Sequence, residues 1–533
     1  MSPDAGPSRA VATLTVFLGS AMPDLHFHPA NHMKLMMGGN SIAKIVWLTI
    51  VITVPLFAYT TNILHSFYDI GNSFYDAGWS AYLIHDADLQ LHNPPSVMDG
   101  ISWFNFHISP LFQATSALGH LVPLTRIQFY AAYTGISHTL PAVAVFWLLV
   151  SGYRMTRPVP CAAAALLAVF FSFGGLALAI ARFPHFTMFI VGTGMMFLVA
   201  VVLRRIGIAL FFFVLCLSTR EDAGFHLFAL LSLLFALQWW RGAPWREQKP
   251  TAVFALLALL YSAGAIVLQH VLSSGNHSLL VSEYLGRPLF GEVTVSSMAA
   301  RLLGWVVYRS YVVLPGVCAL IWAIVRRNPY IILGYVAFVP WGLLHLAAAR
   351  EMLGTLPSYY AFPYMFASLW PLIGLLVQQR HNGEERSVFE PVCGFALLTA
   401  ASFATSQYQH NPTHIDLPAG FLSPPSVSRQ AATDRALEGL AGAQELGTTL
   451  VDQSVLALVP ELYRAGNVLS RGSHGEPDSI IYFANGFERP LALETAAQAG
   501  LERVYEIQDT QIRVATNRPI EGLEGLTERA PSK

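Results

Sequence analysis

Charge is what this chain has least of. Only 12% of its 533 residues are Asp, Glu, Lys or Arg, against about 25% in an ordinary soluble domain. So few ionic groups cannot solvate the surface of a chain this long, which excludes an ordinary soluble enzyme. A hydrophobic content of 54% excludes disordered, collagen-like and coiled-coil chains as well. Charge of one sign is not in excess: 31 basic against 32 acidic residues leave a net charge of -1, without the concentrated basic face of a nucleic-acid binder. Cysteine is also scarce. Cys161, Cys216, Cys318 and Cys393 each sit inside an apolar run. With no close pair among them, a metal knuckle or a redox pair is disfavoured, and small buried or lipid-facing side chains are expected. Neither His107 nor His185 stands in a His-x-x-x-His pair, so a dedicated zinc site at these histidines has little support. There is no P-loop, dinucleotide fingerprint or internal repeat. The apolar stretch 11–22 is short and runs into Asp24, His26 and His28 without a small-residue cleavage site, unlike a cleaved signal peptide.

Long apolar runs are abundant. A spanning helix needs about 20 apolar residues. Candidates lie near 42–64, 127–150, 160–181, 186–203, 206–219, 223–240, 251–272, 306–325, 329–348, 359–377 and 388–405. The expected fold is therefore mostly α, a polytopic helical membrane protein of about 11 transmembrane helices. Residues 1–41 form an N-terminal tail, 42–405 the membrane domain, 65–126 its large first outer loop, and 406–430 a Pro-, Gly- and Ser-containing linker. In 431–533 the charge content rises. Residues 431–447 and 491–500 look helical, 450–459 and 480–483 look like short buried strands, and Val504–Ile507 with 511–515 suits a hairpin around Asp509. A small C-terminal α/β domain is expected there.

Alternate short loops are basic, carrying Arg154 and Arg157, Arg204 and Arg205, Arg241, Arg246 and Lys249, Arg326 and Arg327, and Arg380 and Arg386, with Lys34 ahead of the first span and Lys44 at its start. The positive-inside rule puts these in the cytoplasm. The first loop and the C-terminal domain then fall outside. The same alternation gathers Asp69, Asp76, His107, His185, Glu221, Asp222, Arg350 and Glu351 at the outer boundary. Charges beside spans are costly unless they meet water, a partner or a cavity. Asp69 and Asp76 are seven residues apart, about two helical turns, and paired carboxylates can serve as base and orienter. Asp76 equally suits a helix N-terminus. Arg350, ahead of Tyr359 and Tyr360, can fork a phosphate or pair with Glu351 or with Glu221 and Asp222. Asp69, Glu221 and Asp222 leave open an oxygen-ligated divalent cation, Mg or Mn, as the one candidate cofactor. Trp79, Tyr82, Trp103 and Phe104 give the first loop an aromatic surface, and Val295–Tyr308 is amphipathic, with Arg301 and Arg309 placed to meet lipid headgroups.

Several of these segments resemble one family. Asp69-Ile70-Gly71 with Trp79 downstream, His107-Ile108-Ser109-Pro110, Pro123 and Gln128 in 120–128, Arg220-Glu221-Asp222-Ala223, and the post-membrane segment 451–469 are similar to the bacterial membrane-protein family known as domain of unknown function 2079. That family is related to the GT-C class of integral-membrane glycosyltransferases. One departure is that Asp76 is followed by Ala77, where the family tends to have Gln. The resemblance implies a GT-C-like fold, a polyprenyl-phosphate sugar donor used on the outer face and an unidentified glycan, lipid or protein acceptor. It implies Asp69 as the catalytic carboxylate. Beside it, Asp76, His107, Glu221, Asp222, Arg350 and Tyr359 are the expected substrate-binding residues, and Arg350, then Arg220 and Arg309, the expected phosphate-binding ones. The alternatives are a transporter or flippase, disfavoured because the charges sit at helix ends and no paired halves are visible, and a non-catalytic cell-envelope assembly protein.

Overall fold

The computed structural model describes residues 41–529, apart from 71–74, 95–99, 154, 156, 183, 273–279, 292, 383–387, 407–418, 443–445, 465, 471–475, 487 and 521–525. The N-terminal tail with Lys34, and Gly71, Pro95, Arg154, Phe183, Arg386 and residues 407–418 of the 406–430 linker lie outside the described residues.

Helices occupy each of the expected apolar stretches, but few are single spans. Among the described residues, four are long and apolar enough to cross a membrane: Ile42–Ile70, Arg126–Gly152, Ala223–Trp240 and Trp245–Leu272. Two bent pairs raise this to six: Pro158–Ser172 with Gly175–Arg182, turning by 41°, and Val295–Tyr308 with Ser310–Arg326, turning by 90°. The count of about 11 whole spans is not reached, because the other helices are shorter, broken or less apolar. The 329–348 stretch shows why. It divides into Leu333–Ala337 and Val339–Leu346, and Pro340 stands in the first turn of the second piece, where its missing N–H does no harm.

The helix Ser41–His65 lies against Arg126–Trp147 at close range: a Cβ on Gly135 would come 2.9 Å from the Leu56 carbonyl. The second helix starts at a capping box, in which Thr125 and Gln128 accept each other's backbone N–H at 3.4 and 3.3 Å. Past His65 the first helix widens into a π-helical turn, Ser66–Ile70, and a short helix, Tyr75–His85, follows. Of the cysteines, Cys161 and Cys216 are buried, Cys318 is intermediate and Cys393 exposed, and none is bridged.

The C-terminal part holds a five-stranded sheet: β1 (Thr449–Val451), β2 (Ser479–Phe483), β3 (Val504–Ile507), β4 (Ile512–Thr516) and β5 (Leu526–Arg529), in the order β1-β2-β4-β3-β5. β1 pairs parallel to β2, Thr449 opposite Ser479, and the other pairs are antiparallel. The β3–β4 hairpin turns through Asp509 at φ +59°, a left-handed conformation that Asp tolerates better than most residues. Strand character in 450–459 ends at Val451. Asp452 accepts the Ser454 N–H at 2.7 Å and starts the helix Gln453–Leu458, because an N-cap carboxylate favours a helix over continued strand. β2 is buried on both faces. Ile480 and Tyr482 meet Ala492 and Ala496 of the Arg489–Gln498 helix. Ile481 and Phe483 join a core shared with Phe67, Tyr68, Leu83, Trp103 and Leu437. The C-terminal sheet and the first loop therefore share one apolar cluster.

Candidate functional site

The turn Thr219–Asp222 joins the helices Ile206–Leu217 and Ala223–Trp240, and its three charges divide their tasks. Arg220 Nε donates to Asp222 Oδ1 at 2.6 Å, and Nη2 donates to Oδ2, a bidentate pair. The Arg220 guanidinium lies 5.8 Å from the Phe186 ring and 5.7 Å from that of Phe362, so its apolar planes are covered. Burial alone raises the Asp222 carboxyl, but the Arg220 guanidinium outweighs it and holds the group well below the usual carboxylate range. Burial opposes the charge on Arg220, and Asp222 overcompensates, so Arg220 stays firmly protonated.

Glu221 points the other way. Its Oε1 is 2.7 Å from His107 Nδ1, and Oε2 accepts the Ile108 N–H at 2.9 Å, while Ser262 donates to its backbone carbonyl. Glu221 thus ties the 103–109 segment of the first loop to the membrane helices. Trp103 packs 4.7 Å from the His107 ring and donates to Ser109 Oγ at 3.0 Å.

His185 and Tyr359 stack at 5.2 Å, and Tyr359 meets Tyr360 at 4.4 Å. Burial, then the charge of Arg220, pushes the His185 imidazole well below its ordinary value, so it stays neutral. Asp76 sits in the first turn of Tyr75–His85, near enough for its charge to act on Tyr359 and Tyr360. Burial raises its carboxyl to about 6. Among the described residues no cation or hydrogen-bond donor holds it. One region therefore joins Asp76, His107, His185, Arg220, Glu221, Asp222, Tyr359 and Tyr360.

Asp69 is not part of that linked set. Its Oδ2 is 2.8 Å from His65 Nδ1 and its Oδ1 accepts from Arg429 Nη1 at 2.9 Å, so it fastens the C-terminal segment to the first loop. Tyr68, donating to Asp434 at 3.0 Å, Gln128, donating to Gln430 at 3.2 Å, and Asn485, donating to the Ile70 carbonyl at 3.1 Å, add to the same seam. Arg350 pairs with Glu283 at 2.7 Å, not with Glu351 or the Glu221–Asp222 pair, and is largely exposed. Arg309 donates to the Leu356 carbonyl at 2.8 Å, and Arg301 to the carbonyls of Leu346 and Ala348, each at 2.8 Å. Those arginines brace the 339–356 segment, where lipid headgroups were the expected partners. Trp79 donates to Asn93 Oδ1 at 2.8 Å and packs edge-on against Trp103 at 5.0 Å, and Tyr82 carries the Arg126 guanidinium at 5.2 Å.

No group of three or more His, Cys, Asp or Glu side chains able to hold a metal ion stands among the described residues. Asp69, Glu221 and Asp222 each spend their oxygens on cationic or N–H partners. They do not fit a divalent cation site together.

Sequence reasoning missed Glu283, Tyr284, His226 and Trp341. Trp341 donates to the Tyr360 carbonyl at 2.9 Å, and Tyr284 meets the His345 ring at 5.3 Å. The Asp222-x-x-x-His226 spacing, one helical turn, was the one available signal.

No protein-family model matches the chain, and no curated protein does. The chain is similar to a solved structure of ArnT from Cupriavidus metallidurans bound to undecaprenyl phosphate, at 11% identity and a TM-score of 0.42, over 90% of this chain and 98% of that one.

Proposed function

We propose that this chain is an integral-membrane glycosyltransferase that moves a sugar from a polyprenyl-phosphate donor to an acceptor hydroxyl at the outer, periplasmic face of a bacterial inner membrane. The observation that carries this reading is that Asp76, an uncommitted carboxylate, and the buried Arg220 lie within electrostatic reach of one tyrosine, Tyr360, beside the His185–Tyr359 stack. A general base works best with a pKa near the operating pH, and Asp76 at about 6 suits that role better than Asp69, which is held by His65 and Arg429. Asp76 takes the acceptor O–H proton as the acceptor oxygen bonds to the anomeric carbon. The carbon–oxygen bond to phosphate breaks, and the phosphate leaves with the electron pair. Arg220 offsets that charge, and Glu221 fixes His107 beside the reacting sugar. The basic loops face the cytoplasm in this reading, and the C-terminal domain is periplasmic.

Purified protein in nanodiscs, supplied with synthetic polyprenyl-phosphate sugars, tests it. Wild type consumes donor and Asp76→Asn does not, while Asp69→Asn keeps part of the rate. Full turnover by Asp76→Asn together with a dead Asp69→Asn returns the base to Asp69. If no donor is consumed and a solute crosses liposomes instead, the transport reading replaces this one.

A further inference from the structure

A pocket of about 300 Å³ lies apart from the site described above, between the loop 285–293 and residues 349–350. Its walls are held by backbone bonds. The Phe290 N–H donates to the Leu285 carbonyl at 2.6 Å and the Gly291 N–H to the Pro288 carbonyl at 2.9 Å, which closes the loop on itself. The Ala349 and Arg350 N–H groups donate to the Tyr284 and Glu283 carbonyls at 2.9 and 3.0 Å, so the opposite wall is tied to the turn Leu280–Leu285. A Cβ on Gly286 would come 3.0 Å from the Ala349 Cβ, and Gly286 has φ +73°, a left-handed conformation that glycine adopts at little cost. The two walls meet there, and the pocket is preformed.

Three charged side chains line it: Glu283, Arg287 and Arg350. Glu283 takes only Nη1 of Arg350, so Nε and Nη2 of that guanidinium are uncommitted among the described residues. Arg287 is exposed and has neither an ion pair nor a hydrogen bond among them. Two cations against one anion leave this lining with a net positive charge. The neighbouring Arg301 and Arg309 are spent on carbonyls, which makes Arg287 the guanidinium still free to act. Two guanidinium edges over a preformed hollow suit an anion with several oxygens, a phosphate. The surroundings indicate where that phosphate comes from. Leu289 and Phe290 on the loop are exposed, and the helix that follows, Val295–Tyr308, exposes Leu302, Leu303, Val306 and Val307 before turning by 90° into Ser310–Arg326. A helix with an apolar face at right angles to a candidate span lies in the membrane surface, so a pocket at its N-terminal approach stands among lipid headgroups.

We propose that this pocket binds the phosphate of an anionic phospholipid. Arg287 and the free edge of Arg350 donate to the phosphate oxygens, and Leu289 and Phe290 pack against the glycerol and the upper acyl chains. Glu283 restrains Arg350 and opposes the anion, which limits the affinity. Occupancy of this pocket is independent of sugar transfer.

Full-length protein in detergent micelles titrated with phosphatidylglycerol, with bound lipid read by native mass spectrometry, tests this. Arg287→Gln weakens phosphatidylglycerol binding about tenfold or more, the worth of a hydrogen bond to a charged group. Its melting temperature in lipid-free detergent is unchanged, because the side chain has no partner to lose. Glu283→Gln moves the other way: it releases Nη1 of Arg350 and removes the opposing charge, so binding tightens, a gain that a merely structural role would not give. Phosphatidylcholine, whose headgroup has no net charge, binds more weakly than phosphatidylglycerol in wild type, and the difference shrinks in Arg287→Gln. Equal phosphatidylglycerol binding by wild type and Arg287→Gln overturns the proposal, as does weaker binding by a Glu283→Gln protein that melts with wild type. Inorganic phosphate and farnesyl phosphate separate the sources. If either binds wild type as tightly as phosphatidylglycerol and loses that affinity in Arg287→Gln, the pocket belongs to a free phosphate or to a polyprenyl phosphate, and the phospholipid assignment falls.

Discussion

Replacing Glu221 separates its role as a clamp from any role in chemistry. The side chain is 10% exposed and holds two partners, His107 Nδ1 at 2.7 Å and the Ile108 N–H at 2.9 Å. Ile108 is 5% exposed, so its amide finds no water when the carboxylate goes. In Glu221→Ala that orphaned amide costs about 1–3 kcal/mol, and losing the charge-assisted bond to His107 costs about 1.5–3 kcal/mol. The two share one side chain and are not independent, which puts the total near 3–4 kcal/mol. Glu221→Gln keeps a carbonyl for the Ile108 amide and an NH₂ for the His107 ring, and should cost about 1–2 kcal/mol. The difference of about 2 kcal/mol corresponds to roughly thirtyfold in an opening equilibrium. Hydrogen exchange over 103–109, in nanodiscs at one pH, reads it directly: Ala loses at least that much more protection than Gln. Equal exchange in the two variants, or unchanged exchange in Ala, would refute the idea that Glu221 holds the first loop to the membrane helices.

Three more outcomes are expected. Burial raises Asp76 to about 6, above the ordinary Asp value of about 3.9. The folded protein therefore keeps a proton that the unfolded chain has lost between those values, stability falls as pH rises through that window, and Asp76→Asn melts higher than wild type at pH 7.5 but level with it below pH about 4. Glu488, raised to about 7 by burial and then by the Asp452 charge, follows the same sign over a window from about 4.3 upward. Glu488→Gln accordingly raises the melting temperature at pH 8 and does nothing at pH about 4, as differential scanning fluorimetry will show. Arg429→Ala removes the distant partner of Asp69, and hydrogen exchange in 66–70 accelerates while that in the Arg126–Trp147 helix does not change.

Placement was legible in the sequence, and partnership was not. Scarce charge and its distribution predicted helices at 42–64, 127–150, 223–240 and 251–272, and single helices long enough to span stand there. Arg220, Glu221 and Asp222 stood out because three charges between apolar runs demand a reason. Whom they bond is a long-range matter. Glu221 reaches back across 113 residues to the Ile108 amide, and Asp69 reaches forward across 360 to Arg429. Local periodicity says nothing about such pairs, and so the sequence could place Asp69 in the first loop but not name His65 and Arg429 as its partners. Arg350 offers the same lesson on a smaller scale. Glu351 is adjacent in sequence but starts the next short helix, while Glu283 is brought within 2.7 Å by two backbone bonds, the Ala349 N–H to the Tyr284 carbonyl and the Arg350 N–H to the Glu283 carbonyl. At 450–459 the signal was present but overlooked: Asp452 two residues before Ser454 is a helix start.

The right angle between Val295–Tyr308 and Ser310–Arg326 has a mechanical meaning. If one limb stands along the bilayer normal, the other floats in its surface, and Leu302, Leu303, Val306 and Val307 on the floating limb are exposed to whatever surrounds it. Arg301 and Arg309 bolt that float to the 346–356 stretch, which leads straight into Tyr359 and Tyr360. A thicker or thinner bilayer shifts the height of the float relative to the upright helices at a cost that grows with the mismatch. Wherever the float settles, it therefore carries with it the stretch that ends at the tyrosine pair.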